Sequence, residues 1–567
     1  MNNKFNIIAV PRKEYLSKSI ENLFLKKSVF DSIFFNSEKK TNSSIYKYHT
    51  SNLYVKKNIK FLKKKKEIYL KQISRTLNTL HNIKCDKNYW RIILDSWLVH
   101  VISSIKIRLD ELKSLKKFEK RLSIIENNCD YFFGNTGDLI NKITVDDKFN
   151  QNFYSRIANH LKIKIIKKKP KNRIFLLEIK KNSLLIKLIR KILFIYARLF
   201  SPTLLVDSYF KNPVKIFFLS FGKIIILPSK ILNSNLTNKI NMSQRKKLGI
   251  KEYDEFDRVF NLFIKNFLPK SFLENYKIIR SDISQLSVYL NKAGTATGII
   301  LSDTYKILAA ELYKNKKKYY GFQHGGYYGL QTLNLLEDIE KKNSTKYFYW
   351  NNKKGLGLNY LPVFKKISLK ELNKNKKIVL YLSLQKKYNN RLEFQMDYSD
   401  NLKNINQYFK LYDNLNHSLK EHFFVKTIPN PGWWNSSKFW TNKYDSDIKI
   451  INNKSSKNTL IETKLLVTSQ ISTPFIEAMY TGIPIVVFAK LDEYSFKPNV
   501  KKLFLKLKKI GVIHDDPISC SKFINKNYSN LLSWWTQPYV QKEINKIRNL
   551  LFTDKKDYLK EILKELK

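Results

Sequence analysis

The sequence predicts an α/β protein in which two domains with parallel sheets follow a mainly helical N-terminal region. From about residue 200, short apolar runs alternate with helical stretches, a pattern typical of βαβ units. The first 165 residues have the texture of helices separated by polar segments. We find no internal repeat of roughly 20 to 50 residues, which argues against a solenoid or a propeller.

The chain divides into four predicted parts: a helical region at 1–200, a Rossmann-like domain at 201–350, a linker at 351–376, and a second Rossmann-like domain with C-terminal helices at 377–567. The predicted strands of the first domain are 203–206, 223–227, 298–301, 318–322 and 347–350. Those of the second are 377–382, 422–426, 448–451, 464–468, 483–488 and 511–514, with closing helices from Pro517. Ligands bind at the carboxyl ends of such strands, so we expect the site in the cleft between the two sheets.

The composition is strongly basic and is compatible with a folded core. The 567 residues include 105 Lys and Arg against 47 Asp and Glu, a net charge of +58. Hydrophobic residues make up 43%, which excludes a wholly disordered polycation. Most cations are Lys rather than Arg, and the many Asn, Ile, Lys and Tyr residues have A/T-rich codons. We therefore expect no nucleic-acid partner, whereas an acidic membrane surface or an anionic substrate fits the charge.

The cysteines and the apolar segments bear on location. Cys85, Cys129 and Cys520 lie far apart, so they predict neither a disulfide framework nor a cysteine zinc site and fit a reducing compartment. Residues 1–10 are too polar for a signal peptide, and no apolar run approaches the roughly 20 residues of a spanning helix. We expect a cytoplasmic protein, peripheral to the inner membrane.

The segment 184–200 is apolar except for cations that fall on one side of an ideal helix: Lys187, Arg190, Lys191 and Arg198. One interpretation is a helix that lies on an acidic membrane surface. The other, which is favoured because amphipathic helices are the normal way to cover a sheet, is an ordinary amphipathic helix packed on a sheet.

The segment 321–329 reads Gly-Phe-Gln-His-Gly-Gly-Tyr-Tyr-Gly and continues from a predicted strand. This puts Gln323 and His324 at the strand's carboxyl end, while Gly325 and Gly326 allow backbone to approach a ligand closely. Histidine titrates near neutrality and acts as a base or as a phosphate-facing donor. A functional role is favoured because His and Gln beside paired glycines pack a core poorly.

Asp303 follows the predicted strand 298–301 and begins a predicted helix that reaches about Lys314. At the end of a neighbouring strand, its carboxylate would orient or charge-stabilise the imidazole of His324. An equally good interpretation is that Ser302 or Asp303 caps the helix.

The segment 468–479 runs from a strand through a hydroxyl-rich turn into a helix. Ser469, Ser472 and Thr473 leave backbone N–H groups free to face an anion at the helix start. Glu477, one turn into the helix, has the chemistry to accept hydrogen bonds from ribose hydroxyls. Capping by Ser472 or Thr473 explains part of this pattern.

A strand, a Ser/Thr-rich turn, a helix with Glu477-Ala478, and then Gly482-x-Pro484 resemble the donor-nucleotide half of GT-B glycosyltransferases. Together with the segment 323–329, they resemble the transferases of surface-polysaccharide and sialic-acid-like sugar gene clusters. Further stretches of the sequence that agree are 77–81, 89–98, 207–209, 511–515 and 533–535. The resemblance implies a GT-B-like fold, with two Rossmann-like domains that face a cleft.

The resemblance also implies a nucleotide-sugar donor, with an ulosonic or related acidic sugar, and a lipid-linked or cell-surface glycan acceptor, as in capsule or lipopolysaccharide. The implied donor-binding residues are Gln323, Gly325, Gly326, Lys426, Ser469, Ser472, Thr473 and Glu477. Lys426 stands where we expect Arg, before the segment 427–433, and it lacks the bidentate fork. Asn78, His81 and Arg91, the polar members of a segment that otherwise predicts core, are weaker candidates for acceptor binding.

The leading hypothesis is a metal-independent glycosyltransferase that needs no cofactor beyond its donor. His324 or Asp303 deprotonates an acceptor hydroxyl while Lys426 and the turn at 469–473 stabilise the departing phosphate. The aromatic pairs at 349–350 and 433–434 either flank the cleft or belong to the core. The alternatives are a nucleotide-sugar epimerase, a polyol-phosphate transferase, or a non-enzymatic basic scaffold that binds membrane or acidic polymer.

Overall fold

The computed structural model describes most of the chain. The described residues are 4–26, 29, 33, 43–46, 52–115, 121–126, 129–167, 174–176, 183–208, 210, 212–232, 236–350, 366–382, 386–392, 401–428, 434–452, 454–552 and 563–567. In these ranges the fold is α/β, with two Rossmann-like parallel sheets in series, as the sequence predicts. The N-terminal region is helical but also contains a parallel sheet of its own.

The N-terminal region is built on this additional sheet, in the order β3-β2-β1-β4-β6, with β5 and β7 paired separately. Its elements are β1 (Phe5–Ile8), β2 (Glu21–Phe24), β3 (Ser43–Ile45), α1 (Asn52–His81), α2 (Lys87–Ser114), β4 (Leu122–Ile125), β5 (Asp130–Phe132), α3 (Thr136–Val145), α4 (Asp147–His160), β6 (Lys164–Ile166) and β7 (Ile174–Leu176). The sequence prediction missed this sheet because its strands are short and polar residues interrupt them. Asn6 of β1, for example, is buried and donates to Oδ1 of Asn22 in β2 at 3.1 Å.

The first Rossmann-like sheet has the order β12-β11-β10-β8-β9, and all its pairings are parallel. Its elements, with the helix before it, are α5 (Leu184–Phe200), β8 (Thr203–Val206), α6 (Pro213–Leu219), β9 (Ile224–Leu227), α7 (Met242–Lys246), α8 (Glu255–Phe267), α9 (Tyr276–Tyr289), β10 (Lys292–Thr295), α10 (Gly298–Leu301), α11 (Asp303–Lys314), β11 (Lys318–Phe322), α12 (Leu335–Lys342) and β12 (Lys346–Phe348).

The predicted strand at 298–301 is wrong, because this segment is the short helix α10 and the strand is β10. Oγ1 of Thr295 accepts a hydrogen bond from the N–H of Gly298 at 2.8 Å, which turns the chain into the helix. A four-residue apolar run fits either structure, so the pattern alone does not decide between them. Asp303 consequently follows a helical turn and not a strand.

The second Rossmann-like sheet has the order β15-β14-β13-β16-β17-β18 and is also parallel. Its elements are α13 (Leu369–Lys374), β13 (Lys377–Tyr381), α14 (Asn401–Asp413), α15 (His417–Lys420), β14 (Phe423–Lys426), α16 (Ser436–Tyr444), β15 (Lys449–Ile451), α17 (Ser456–Ile461), β16 (Thr463–Thr468), α18 (Thr473–Thr481), β17 (Ile485–Phe488), α19 (Pro498–Lys509), β18 (Ile513–His514), α20 (Pro517–Asn527), α21 (Leu531–Thr536) and α22 (Pro538–Leu551). The predicted strands here are confirmed to within two residues at their ends. Residues 351–365 of the predicted linker lie outside the described residues.

The largest apolar core runs from the N-terminal sheet into the first Rossmann-like sheet, so it is continuous across residue 200. The second Rossmann-like sheet has a separate core on each of its faces. The described C-terminal residues return to the first sheet, where Oγ1 of Thr203 donates to the carbonyl of Leu566 at 2.6 Å. The chain therefore connects its two Rossmann-like sheets twice.

Helix α5 has the predicted bounds and packs only one side against the protein, through residues such as Leu193 and Ala197. Tyr196 joins it to the α6–β9 turn, because its hydroxyl donates to the carbonyl of Gly222 at 3.0 Å. No helix in the part of the chain that the structure describes is both long and apolar enough to cross a bilayer.

Candidate active site

The loop after β11 and the turn after β16 are in direct contact, so the carboxyl ends of the two Rossmann-like sheets meet. The N–H of Gly326 donates to Oγ1 of Thr473 at 3.1 Å. A Cβ atom on Gly326 would lie 2.6 Å from the backbone nitrogen of Thr473, so only glycine allows this approach. Beside it, the hydroxyl of Tyr327 donates to Oε1 of Gln470 at 3.3 Å. The structure thus brings together two motifs that the sequence analysis placed on separate domains.

A second set of contacts anchors the end of the same loop on the second Rossmann-like domain. Gln331 and Phe496 form an antiparallel bridge, and the N–H of Thr332 donates to the carbonyl of Ser495 at 2.7 Å. Nζ of Lys497 donates to the carbonyl of Gly329 at 2.7 Å. The segment from Gly326 to Thr332 is therefore held at both ends against the other domain.

His324 faces a buried carboxylate on α12. Its Nδ1 lies 3.2 Å from Oε1 of Glu340, a charge contact without the alignment of a hydrogen bond. Burial disfavours the charged imidazole, but the charge of Glu340 and the backbone of Ala296 outweigh burial, so the pKa of His324 is raised above its ordinary value. About 20% of the His324 side chain is exposed, which leaves the ring within reach of a ligand.

A small cluster of three tyrosines lies beside His324 and Glu340: Tyr328, Tyr347 and Tyr349. The hydroxyl of Tyr347 donates to Oε2 of Glu340 at 2.8 Å. The ring of Tyr328 lies 5.3 Å from the imidazole of His324 and stacks on Tyr347. Burial and the charge of Glu340 raise the pKa of Tyr328 well above its ordinary value, which keeps this phenol neutral. Glu340 is therefore the only carboxylate that the described contacts place on His324.

Gln323 and Gly325 shape the loop. Oε1 of Gln323 accepts a hydrogen bond from the N–H of Trp350 at 3.0 Å, and its Nε2 donates to the carbonyl of Gly325 at 2.9 Å. A Cβ atom on Gly325 would lie 3.0 Å from the ring of Tyr328. These contacts favour a role in positioning the loop.

Asp303 is engaged elsewhere. Its Oδ2 accepts hydrogen bonds from the N–H of Thr136, at 2.8 Å, and from the hydroxyl of Ser271, while its Oδ1 pairs with Nζ of Lys306 at 2.9 Å. Ser302 caps α11 by accepting the N–H of Tyr305. The expected contact of Asp303 with His324 is replaced by that of Glu340, because α10 separates Asp303 from the strand end.

Arg391 brings a positive charge toward the same histidine. Its charge acts to lower the pKa of His324, against the effect of Glu340. Arg391 belongs to the segment 386–392, which is hydrogen-bonded to the N-terminal region. The hydroxyl of Tyr388 donates to Oδ1 of Asp147 at 2.8 Å. The N-terminal region therefore holds in place the segment that carries Arg391.

The hydroxyl-rich turn leaves the start of α18 uncapped. Ser472 occupies the N-cap position without a side-chain capping hydrogen bond, and Pro474 lies in the first turn. Ser469 is bonded to the hydroxyl of Tyr408 at 2.6 Å, and Thr473 accepts from Gly326. The capping interpretation does not hold for Ser472, so no side chain of the turn caps this helix start, although Pro474 has no N–H and Gly326 packs against the backbone nitrogen of Thr473.

Glu477 is the most perturbed carboxyl group in this area. Burial raises its pKa to about 8, and no neighbouring charge in the described residues offsets this effect. Carboxyl groups with strongly shifted pKa values cluster at functional sites, and Glu477 lies one turn into the helix whose first residue contacts Gly326.

Lys426 ends strand β14 and is buried, and burial lowers its pKa. Its Nζ donates to the carbonyls of Asn452, at 3.3 Å, and Lys454, at 2.6 Å. Residues 429–433, which include the expected Gly-Trp segment, lie outside the described residues.

The weaker candidates for acceptor binding lie where α1 and α2 meet, and they make structural contacts: Asn78, His81 and Arg91. Oδ1 of Asn78 accepts from Nε1 of Trp90 at 2.8 Å, and Arg91 pairs with Glu67 at 2.7 Å. Nε2 of His81 bonds the carbonyl of Phe272 at 3.0 Å, and burial lowers the pKa of His81 to about 4.

Two open cavities of about 540 and 510 Å³ adjoin His81, and Lys277 lines both of them. They lie away from the loop of His324, since none of its residues lines either cavity. The core interpretation of this segment rests instead on the hydrogen bonds and the ion pair of Asn78, His81 and Arg91.

The described ranges contain no group of three or more His, Cys, Asp or Glu side chains placed to hold a metal ion. Tyr349, Trp350 and Trp434 are buried, which favours their assignment to the core, while Trp433 and Tyr209 lie outside the described residues.

Sequence reasoning missed Glu340 and Arg391. The available signal for Glu340 was a short helix with two acids one turn apart, Glu337 and Glu340, between two tyrosine-rich segments. Arg391 offered no local signal, because its position depends on the fold around residues 386–392.

The fold has distant likenesses among solved structures. HepE from Anabaena, solved with UDP and glucose, is 10% identical over 65% of this chain and 99% of that chain, with a TM-score of 0.36. A UDP-forming trehalose-phosphate synthase from Burkholderia vietnamiensis is 9% identical over 65% and 99%, with a TM-score of 0.34. UGT71G1 from Medicago truncatula, solved with UDP-glucose, is 9% identical over 68% and 96%, with a TM-score of 0.31.

No curated protein is significantly similar in sequence. A family model described as the LIC12162 family transferase matches residues 13–566, which is nearly the whole chain. The chain therefore belongs to the LIC12162 family of transferases.

Proposed function

We propose that this transferase moves a sugar from a nucleotide-sugar donor to a hydroxyl of a cell-surface or lipid-linked glycan. The observation that carries the proposal is the contact between Gly326 and Thr473, since it joins the histidine loop of one parallel sheet to the hydroxyl-rich turn of the other. Each loop is at the carboxyl end of its sheet, where α/β enzymes bind ligands.

The donor half of the proposed site is the turn before α18. The uncapped helix start, with the free N-cap residue Ser472, is suited to the donor phosphates, since N–H groups and the helix dipole both favour an anion. Glu477 would accept hydrogen bonds from ribose hydroxyls, which would compensate for the burial of its carboxyl group. Lys426 supplies a buried cation at the end of a nearby strand.

The other half of the proposed site, which would perform the proton transfer, consists of His324 and Glu340. In the proposed step, the imidazole takes the proton of the acceptor hydroxyl, whose oxygen bonds the anomeric carbon. The bond from that carbon to the donor phosphate breaks, and the phosphate leaves with the electron pair. Glu340 stabilises the imidazolium that forms. Because the charge of Glu340 raises the pKa of His324, the imidazole is a stronger base than an ordinary histidine and becomes free to accept a proton only at higher pH.

Leaving-group charge would be met by N–H groups at the start of α18 and by the cations Lys426 and Arg391, so the proposed mechanism needs no metal and no further cofactor. The resemblance of the motifs to surface-polysaccharide transferases supports an ulosonic or other acidic sugar, and the basic composition suits such a donor. The same resemblance supports a cytoplasmic location, beside the inner face of the membrane.

The experiment is to follow release of the nucleotide from a panel of nucleotide sugars, with and without a glycan acceptor. A transferase releases nucleotide faster with acceptor, whereas an epimerase converts the donor without any acceptor. Donor conversion that is independent of acceptor, or no turnover of any donor, would count against the proposal.

A further inference from the structure

Helix α5 presents three different sides. Its inner side, with Leu193 and Ala197, is buried against the protein. At 3.6 residues per turn, a second side is a stripe of apolar residues that are between 55% and 83% exposed: Leu184, Leu188, Ile192, Ile195 and Leu199. The third side, next to this stripe, carries the exposed cations Lys187, Lys191 and Arg198.

Helix α6 and the turn after it extend the apolar stripe. Val214 is 66% exposed, Phe218 is 70% exposed and Phe221 is 86% exposed. Tyr196 links the two helices, because its ring lies 5.9 Å from that of Phe217 and its hydroxyl bonds the turn. Exposed apolar side chains on two linked elements form one surface, which we name the α5–α6 face.

The charged residues of α5 and α6 themselves are all of one sign. Neither α5 nor α6 contains an acidic residue, and Lys215 and Lys223 are exposed beside the apolar residues of α6. Arg190, on the inner side of α5, pairs with Asp282 and does not belong to the face. Large exposed apolar patches mark interaction sites, and a basic margin selects a negatively charged partner.

A bilayer with anionic lipid matches both features. An interfacial helix buries its apolar side in the headgroup boundary, while Lys and Arg beside it reach the lipid phosphates with their long side chains. An apolar stripe flanked by cations has this geometry. A protein partner would instead need an acidic rim around an apolar groove.

We propose that the α5–α6 face is a membrane-docking surface that binds the headgroup region of a bilayer rich in anionic phospholipid. The apolar side chains provide the insertion and Lys187, Lys191 and Arg198 provide the charge selectivity. The inference does not depend on the transfer reaction, although it would hold the site close to a lipid-linked acceptor.

The test is co-sedimentation of the full chain with vesicles of phosphatidylcholine alone or with one quarter phosphatidylglycerol. We expect binding to the anionic vesicles that weakens as salt is added, and weak binding to the neutral ones. The double substitution Leu188→Glu and Ile192→Glu should lower the vesicle partition coefficient by about ten-fold or more. The control is Leu369→Glu, an exposed leucine at the start of α13, which should bind like the wild type.

A charge-matched pair separates specific docking from general attraction by a basic protein. Lys187→Gln with Lys191→Gln should weaken binding to anionic vesicles, whereas Lys56→Gln with Lys57→Gln, two exposed lysines of α1, should not. Equal loss in both pairs would overturn the docking surface. Equal binding by the Leu188 and Ile192 variant would overturn it as well.

A third measurement does not depend on the folding of the glutamate variants. Phe218→Trp should be quenched by brominated lipid in anionic vesicles, and Tyr539→Trp, at an exposed position on α22, should not be. Absence of quenching at position 218 would contradict insertion. Sedimentation without vesicles reports whether the chain forms a dimer. A dimer that forms with the wild type but not with the Leu188 and Ile192 variant would assign the α5–α6 face to a second copy of the chain and overturn the proposal.

Discussion

Oε1 of Glu340 lies 3.2 Å from Nδ1 of His324, at the start of the loop that contacts the second Rossmann-like domain. The pair explains why the pKa of His324 is raised although burial acts to lower it. If His324 is the base, the rate must rise with pH as the imidazole loses its proton. If His324 were instead a cationic donor to the phosphate, the rate would fall over the same pH range.

Replacing Glu340 by Gln removes the charge that raises the pKa of His324. The rising limb of the pH–rate profile should therefore move to lower pH, and the maximal rate should fall by about ten-fold or more, because the imidazolium loses its counter-charge. Asp338→Asn, on the exposed side of the same helix, is the control. An unchanged profile in the Glu340 variant would show that the pair has no part in proton transfer.

His324→Ala should lower kcat by about 10²-fold or more, the usual contribution of a general base. The exposed His417→Ala in α15 should leave the rate unchanged. The measurement is the initial rate at saturating donor, with thermal melting to confirm that both variants fold. A fully active His324→Ala enzyme would remove the catalytic assignment and favour the scaffold hypothesis.

Gly326→Ala should damage the contact between the two Rossmann-like sheets. The added Cβ atom would lie 2.6 Å from the backbone nitrogen of Thr473, so one of the two loops must move. We expect a loss of about 1 to 3 kcal/mol in the free energy of unfolding, measured with denaturant, together with reduced turnover. Gly249→Ala, where the nearest atom is 3.8 Å away, should be tolerated. Equal stability of the two variants would mean that the contact is not tight in solution.

Glu477 predicts a pH-dependent stability. Its pKa of about 8 in the folded chain exceeds the ordinary value of 4.5, so the folded state holds this proton more tightly than the unfolded state. The resulting contribution to stability is complete below pH 4.5 and is lost as the pH rises through about 8. Glu477→Gln should therefore gain stability over the wild type at pH 9 but not at pH 4, as measured by thermal melting. If the difference in melting temperature between Glu477→Gln and the wild type is the same at pH 9 and at pH 4, the expected burial of this carboxyl group is contradicted.

The proposed mechanism has no metal step, so a chelator should leave turnover unchanged. The measurement is the initial rate after dialysis against EDTA, with and without added Mg²⁺ or Mn²⁺. A rate that falls on chelation and recovers with one metal would require a different way to neutralise the leaving phosphate.

Much of the second half of the fold was predictable from local pattern. Strands such as β11 and β16 are buried on both faces, so their apolar runs stand out between polar turns. The N-terminal sheet has short strands with buried asparagines, and its pairing depends on distant partners that no local pattern reveals. The lysine run at 63–66 is a second example of what local pattern does not reveal. Such a run suggests a solvated helix face, but Lys65 and Lys66 are buried and form ion pairs with Asp257 and Asp95.

The candidate site was only partly predictable, for a related reason. The loop of His324 and the turn of Ser472 can be recognised from the local sequence. Paired glycines indicate a close approach of the backbone, and a run of hydroxyl side chains indicates the start of a helix. The partner of His324 carries only a weak signal, since Glu340 and Asp303 are both acids on helices near the same strand in sequence. Only the position of α10, set by a hydrogen bond from Gly298 to Thr295, decides between them.

Nucleotide binding by calorimetry tests the proposed donor site most directly. The full chain would be titrated with CMP, CDP, UDP, GDP and their sugars, and the measurement repeated with Glu477→Gln and with the control Glu421→Gln, an exposed glutamate of the same domain. We expect one nucleotide to bind selectively, and its affinity to fall by about ten-fold or more only in the Glu477 variant. No binding of any nucleotide, or binding that the Glu477 change leaves intact, would contradict a donor site at the start of α18.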